Sequence, residues 1–169
     1  MTMKESDVLI SHNSGIYKIR IEGRANFEYG PPLRNLAKEL EHETFSTISV
    51  NLKDCTGMDS TFMGILAKIG LRAKQIGAAM EIINASASNI ALLKGLGLSS
   101  LFKFIEREEV FNMGDEWDEA GEKGDALDTA EAVHDAHDTL MDVAPENIPK
   151  FKTVVDLAQK DINKLKHQS

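Results

Sequence analysis

The sequence is poor in cysteine and has no long run of apolar residues. Its 169 residues include one cysteine, Cys55, which excludes an intrachain disulfide and a cysteine-rich zinc site. No stretch has the length of uncharged apolar sequence that a membrane span requires. The first seven residues also lack the hydrophobic region of a signal peptide. We therefore expect a cytoplasmic protein that does not associate with a membrane.

Familiar catalytic motifs and an excess of positive charge are missing as well. The chain has neither a nucleophile-elbow pattern nor an H-E-x-x-H zinc motif, so we expect no enzymatic activity and no cofactor. Its net charge of −8 disfavours nucleic-acid binding, because that binding depends on Lys and Arg side chains that neutralise phosphates.

The charge is unevenly distributed along the chain. The first 113 residues contain 13 Lys/Arg and 13 Asp/Glu, whereas the remaining residues contain 6 and 14, so the whole imbalance lies in the last third. This break predicts a domain over residues 1–113, an acidic Gly-rich linker over residues 114–124, and a C-terminal extension over residues 125–169.

Apolar periodicity in the first part predicts an α/β domain. Tyr17, Ile19 and Ile21 alternate with charged residues in a strand-like pattern, and Pro31-Pro32 marks the start of a helix. Further patterns give the order β-β-α-β-α-β-α, in which an antiparallel pair precedes parallel strands joined by helices. We expect a mixed sheet whose helices lie mainly on one face, because the strands alternate and are not apolar throughout.

Two amphipathic helices are predicted after the linker. The apolar stripe of the first consists of Leu127, Ala130, Val133, His137 and Leu140. The apolar stripe of the second consists of Phe151, Val154, Val155, Ala158, Ile162 and Leu165. We expect a helical hairpin that buries these stripes on the first domain or in a homodimer.

The first of these helices also carries four potential metal ligands, namely Glu131, His134, His137 and Asp138. Residues three or four positions apart share a helix face, so these side chains could approach one ion. Helical metal sites of this kind need matching ligands on neighbouring helices, and the second helix offers few. We therefore predict no metal site, and we expect His137 to pack within the apolar stripe.

A polar cluster, D-C-T-G-M-D-S-T-F-M-G over residues 54–64, separates a predicted strand from a predicted helix. Asp59 is suited to cap that helix, because its carboxylate can accept a backbone N–H from the first turn. Capping accounts for most of the polar residues. A phosphate on Ser60 is the functional alternative, because it would meet free N–H groups at the helix N-terminus and add charge beside Asp54 and Asp59.

The strand, the cluster and the following helix resemble the signature of STAS domains, the anti-sigma factor antagonists. Asp54, Asp59, Ser60 and Thr61 match the motif of that family, and the resemblance covers roughly residues 7–112. It implies a bacterial regulator of transcription whose Ser60 is phosphorylated by an anti-sigma factor that is a GHKL-type serine kinase. The resemblance also implies that the unphosphorylated protein binds this partner, that phosphorylation ends the binding, that a PP2C-type phosphatase restores the unphosphorylated form, and that ATP is bound by the partner. Thr61 is the second choice of acceptor.

Phe62 departs from the family pattern, which often has glycine at that position. The resemblance further implies a partner-binding switch surface that consists of Asp54, Asp59, Ser60, Thr61 and Phe62. The alternative function is a scaffold that keeps the STAS fold, does not switch and assembles through its helical tail.

Overall fold

A computed structural model describes residues 7–108, 116–121 and 123–168. Within these ranges the strands are β1 (Asp7–Asn13), β2 (Ile16–Ala25), β3 (Thr47–Asn51), β4 (Cys55–Met58), β5 (Ala79–Ile83), β6 (Lys103–Ile105) and β7 (Asp118–Glu119). The α-helices are α1 (Gly30–Leu40), α2 (Ser60–Gln75), α3 (Ala87–Gly95), α4 (Ala126–Val143) and α5 (Ile148–Lys166).

The strands form one mixed sheet in the order β6-β5-β3-β2-β1-β7, and β4 pairs with the end of β2. The β1–β2 hairpin is antiparallel, and its turn residues Ser14 and Gly15 both have positive φ, as a tight two-residue hairpin turn requires. The neighbours β2, β3, β5 and β6 are parallel. Parallel neighbours cannot be joined by a tight turn, so α1, α2 and α3 provide the connections.

One face of the sheet is buried and the other is partly exposed. Buried strand residues include Tyr17, Ile19, Ile21, Ile48, Val50, Met80 and Ile82. The alternate positions, which are only partly buried, include Lys18, Arg20, Ser49, Asn51 and Glu81. This alternation confirms the predicted α/β arrangement with a mixed sheet and helices mainly on one face.

The polar cluster contains a strand that the sequence pattern did not predict. Residues Cys55 to Met58 form β4, and β4 pairs in parallel with β2 beside an irregularity in register between Gly23 and Arg24. Asn89 holds β4 in place, because its buried side chain donates a hydrogen bond of 3.0 Å to the carbonyl of Cys55. This hydrogen bond between residues distant in sequence explains why so polar a segment is extended.

Part of the predicted linker over residues 114–124 also joins the sheet. The two residues of β7 pair antiparallel with Leu9 and Ile10 of β1. The backbone N–H of Ala120 extends this pairing with a hydrogen bond to Val8. The predicted boundary between residues 113 and 114 lies outside the described residues.

The C-terminal helices pack as a hairpin, and α4 packs on α2 of the first domain. The buried residues of α4 are Ala132, Ala136, His137 and Leu140. Leu127, Ala130 and Val133, which belong to the predicted stripe, are only partly buried. The buried face is therefore rotated toward the alanines, because small side chains let α4 approach α2 closely.

Asn147 joins the turn of the hairpin to the first domain. Its buried side-chain amide donates hydrogen bonds of 2.9 Å to the carbonyls of Leu96 and Leu140. We predict that Asn147→Ala lowers the free energy of unfolding by about 1–3 kcal/mol, because buried carbonyls lose their donor. Gln159→Ala, which removes an exposed hydrogen bond to Asn163, should change it by less than about 0.5 kcal/mol. Urea unfolding measures both, and equal effects would contradict the prediction.

Candidate functional site

The site is centred on the start of α2. Asp59 precedes the helix with extended backbone, and its carboxylate accepts a hydrogen bond of 2.9 Å from the N–H of Phe62. Its own backbone N–H donates to the carbonyl of Ala25, which fixes the loop on the end of β2. Ser60 is consequently the first residue of α2, where the backbone N–H groups have no partner within the helix.

The hydroxyl of Ser60 is in contact with the C-terminal extension. Its Oγ lies 2.7 Å from Nε2 of His137 on α4. Nδ1 of the same ring lies 2.7 Å from the carbonyl oxygen of Val133. A carbonyl oxygen can only accept, so Nδ1 carries the proton and Nε2 of the neutral ring accepts the hydroxyl of Ser60.

The surroundings of His137 keep its ring neutral. The side chain is 4% exposed, and its ring packs edge to face on Phe151 of α5 at 5.0 Å. Burial lowers the pKa of His137, although the bond to Val133 and the negative charge of Asp59 oppose that effect. The neutral ring is the form that can accept a hydrogen bond from the hydroxyl of Ser60.

The backbones of α2 and α4 approach closely beside this hydrogen bond. A β-carbon at Gly64 would collide with the carbonyl oxygen of Ala136, and one at Gly30 would lie 3.1 Å from the methyl group of Ala132. Glycine on the first domain and alanine on α4 therefore permit a contact that larger side chains would prevent.

Ion pairs reinforce the contact between α4 and the first domain. Arg34 of α1 lies 3.2 Å from a carboxylate oxygen of Glu131 and 2.7 Å from one of Asp135. Burial raises the pKa of Asp135, but hydrogen bonds from Arg34 and His134 outweigh it and hold that pKa below its ordinary value. Asp135 therefore remains ionised against Arg34.

The other residues of the predicted switch surface are distributed differently. Asp54 is exposed and accepts a hydrogen bond of 2.8 Å from Arg20. Thr61 is 4% exposed and Phe62 is fully buried, so neither offers a surface in this arrangement. The ring of Phe62 lies in the core, and its backbone N–H donates the hydrogen bond to the carboxylate of Asp59. Cys55 is also buried, and burial raises the pKa of its thiol.

The four potential metal ligands on α4 are engaged elsewhere or exposed. Glu131 pairs with Arg34, His134 contacts Asp135, His137 contacts Ser60, and Asp138 is exposed. In the described part of the chain, no three His, Cys, Asp or Glu side chains are grouped so that they could hold a metal ion. None of the helices that the structure describes is long and apolar enough to cross a membrane.

Sequence patterns placed Ser60 and His137 separately but did not bring them together. The residues are 77 positions apart, and each had an adequate local explanation, as a first-turn serine and as a packed histidine. The sequence signal that could have indicated this contact was the pair Ala132 and Ala136 beside His137, because small residues on one helix face permit close packing of another helix.

Comparison with known proteins supports the fold. The family model for the STAS domain matches residues 7–111. The unphosphorylated form of the anti-sigma factor antagonist SpoIIAA is similar, with a TM-score of 0.53 and 14% identity over 60% of this chain and 89% of that chain. The phosphorylated form of SpoIIAA, a cell fate determinant from Bacillus, gives a TM-score of 0.52 and 15% identity over 60% and 92%. No curated protein sequence matches this chain.

The burial of neutral His137 predicts a pH dependence of stability. Its pKa is lowered in the folded state, so below the ordinary value of about 6.5 the unfolded chain binds the proton more readily and stability falls as pH falls. The groups near the ring include Ser60, Asp59, Phe151 and the carbonyl of Val133.

Urea unfolding at about pH 7.5 and about pH 5.5 tests this prediction, because the ordinary pKa of histidine lies between those values. The wild type should lose more free energy of unfolding than His137→Gln, which keeps a hydrogen-bonding side chain but cannot be protonated. The other ionisable groups are common to both proteins and cancel in the comparison. The same pH dependence in both would refute the assignment.

Proposed function

The chain belongs to the STAS domain family, and we propose that it is a phosphorylation-switched antagonist of an anti-sigma factor. In this proposal the partner is an anti-sigma factor with a GHKL-type serine kinase fold. The partner phosphorylates Ser60 and is then released, and a PP2C-type phosphatase restores the binding form. The protein itself catalyses no reaction and acts as a binding module.

One observation carries the proposal, namely that Ser60 occupies the first position of α2 directly after the Asp59 cap. The likeness to SpoIIAA adds support, because that protein is an anti-sigma factor antagonist known in unphosphorylated and phosphorylated forms. The identities of 14% and 15% carry the fold only, so the role of Ser60 depends on its position and chemistry.

A phosphate at this position would change the local charge substantially. It adds about −1.5 to −2 charge near neutral pH. Some of that charge would be stabilised by the N–H groups and positive end of α2. The remainder would add to the negative charge of Asp59 and change the surface that the partner contacts. The switch therefore needs no large movement within the sheet.

A second candidate function is supported by an exposed apolar surface on the hairpin. A groove of about 730 Å³ lies between α4 and α5, and its lining includes Val133, Leu157 and Phe27. Leu157 is 55% exposed and Phe27 is 49% exposed. Exposed apolar side chains that lie together in one groove are a feature of surfaces that bind another protein. A scaffold that forms a homodimer through its tail would use this groove, and Leu157→Lys would then abolish self-association.

Phosphate mapping after incubation with the cognate kinase and ATP tests the proposed acceptor. We expect one phosphate on Ser60 of the full-length protein and none on Ser60→Ala. Thr61→Ala should still be labelled, because Ser60 is the acceptor. Equal labelling of wild type and Ser60→Ala would rule out Ser60.

The effect of charge on partner binding is a separate prediction. Ser60→Asp should weaken binding to the kinase at least tenfold, about 1.4 kcal/mol, because a negative charge is placed at the contact. Ser14→Asp introduces the same charge at the exposed β1–β2 turn and should leave the affinity unchanged. Calorimetry measures both. Unchanged affinity for Ser60→Asp would favour the scaffold function.

A further inference from the structure

We propose that the α4–α5 hairpin is an intramolecular lid on Ser60, and that docking of the lid and phosphorylation of Ser60 exclude each other. The lid is defined here as residues 126–166. The proposal rests on the proposed function of Ser60 as phosphoacceptor. It assigns to the acidic tail the role of controlling when the kinase reaches the switch.

The hydrogen bond between Ser60 and His137 is the first reason for this assignment. During phosphorylation, Oγ of Ser60 must form a bond to the γ-phosphorus of ATP, the bond from that phosphorus to ADP breaks, and the hydroxyl proton passes to a base on the kinase. The approach to Oγ must therefore be open to ATP and to the kinase. In the lidded form the imidazole of His137 lies 2.7 Å from Oγ.

Phosphorylation would in turn oppose docking of the lid. The phosphoryl group takes the place of the hydroxyl proton, and the separation of 2.7 Å between Oγ and Nε2 leaves no space for a phosphorus atom and its oxygens while α4 is docked. Because the backbones at Gly64 and Ala136 are already in close contact, α4 cannot shift to accommodate a phosphate while it stays docked. The two events are thermodynamically linked, so the docked lid disfavours the phosphorylated form by the same free energy by which the phosphate disfavours docking of the lid.

The lid is attached along one face of α4, and Leu140 is the one large aliphatic side chain that α4 buries there. At the contact, α4 presents Ala132 and Ala136, whose side chains are single methyl groups. Arg34 adds two ion pairs, and α5 has only Ala158 and Ile162 buried. An element attached along one face by few large apolar side chains opens more easily than the central strands of a sheet. A lid of this kind can open while the sheet stays folded.

Variants on the lid itself test the proposal without altering the surface that the kinase contacts. Glu131→Gln together with Asp135→Asn removes the charges that pair with Arg34. Asp138→Asn together with Asp142→Asn is the matched control, because it makes the same charge change at exposed positions of α4.

We expect Ser60 of the Glu131/Asp135 variant to be phosphorylated about tenfold faster or more, because lost hydrogen bonds to charged groups shift an opening equilibrium by that order. The control should match the wild type.

Gly64→Ala opens the lid from the opposite side. The new methyl group would collide with Ala136, although alanine is the better helix former for α2 itself. Gly95→Ala, where an added β-carbon meets no atom within 4 Å, is its control. Faster phosphorylation of Gly64→Ala than of Gly95→Ala is expected. Circular dichroism establishes that each variant is folded.

A third variant distinguishes two roles of His137, either as part of the lid or as a residue that assists catalysis. His137→Ala removes the imidazole from Ser60, and we expect faster phosphorylation, because the approach to Oγ is opened. If His137 instead served as the base that accepts the hydroxyl proton, the same variant would be phosphorylated more slowly. A slower rate would therefore overturn the proposal.

Amide hydrogen exchange over residues 126–143 provides a readout that does not need the kinase. Exchange should be faster in the lid-opening variants than in their controls, and faster in Ser60-phosphorylated than in unphosphorylated wild type. If variants whose amide exchange shows an open lid are phosphorylated at the same rate as their controls, the proposed lid is wrong. If opened variants receive no phosphate at Ser60, the proposed function fails, and the inference that depends on it fails with it.

Discussion

The hydrogen bond between Ser60 and His137 connects the two parts of this protein. It joins the first residue of the helix that follows the polar cluster to a helix that lies outside the STAS domain. Because His137 donates its other nitrogen proton to Val133, the ring is held in the form that accepts from Ser60. The tail is therefore attached at the residue that we propose as the phosphoacceptor.

This hydrogen bond depends on how closely two helices can pack. Gly64 and Ala136 allow the backbones of α2 and α4 to touch, and Arg34 fixes the rotation of α4 by pairing with two of its carboxylates. With a larger residue at position 64, the imidazole could not reach the hydroxyl. The acidic character of α4 is thus partly explained, because two of its acidic residues serve the contact with α1 while others remain exposed.

Much of the fold followed from local patterns in the sequence. The alternation at Tyr17, Ile19 and Ile21 and the proline pair in α1 placed their elements correctly. The Asp59 cap was also predictable, because capping depends only on a side chain and the next three residues. The strand β4 was missed, because its extended form depends on β2 and on Asn89, which are distant in sequence.

The sequence alone determined that Ser60 begins a capped helix after a strand, that the domain is α/β, and that two amphipathic helices follow. These properties depend on the order of residues within a few turns of chain. Only the tertiary structure decided which face of α4 is buried and what that face covers. The physical reason is that Ser60 and His137 are 77 residues apart, and their contact exists only because small residues on separate helices allow close approach.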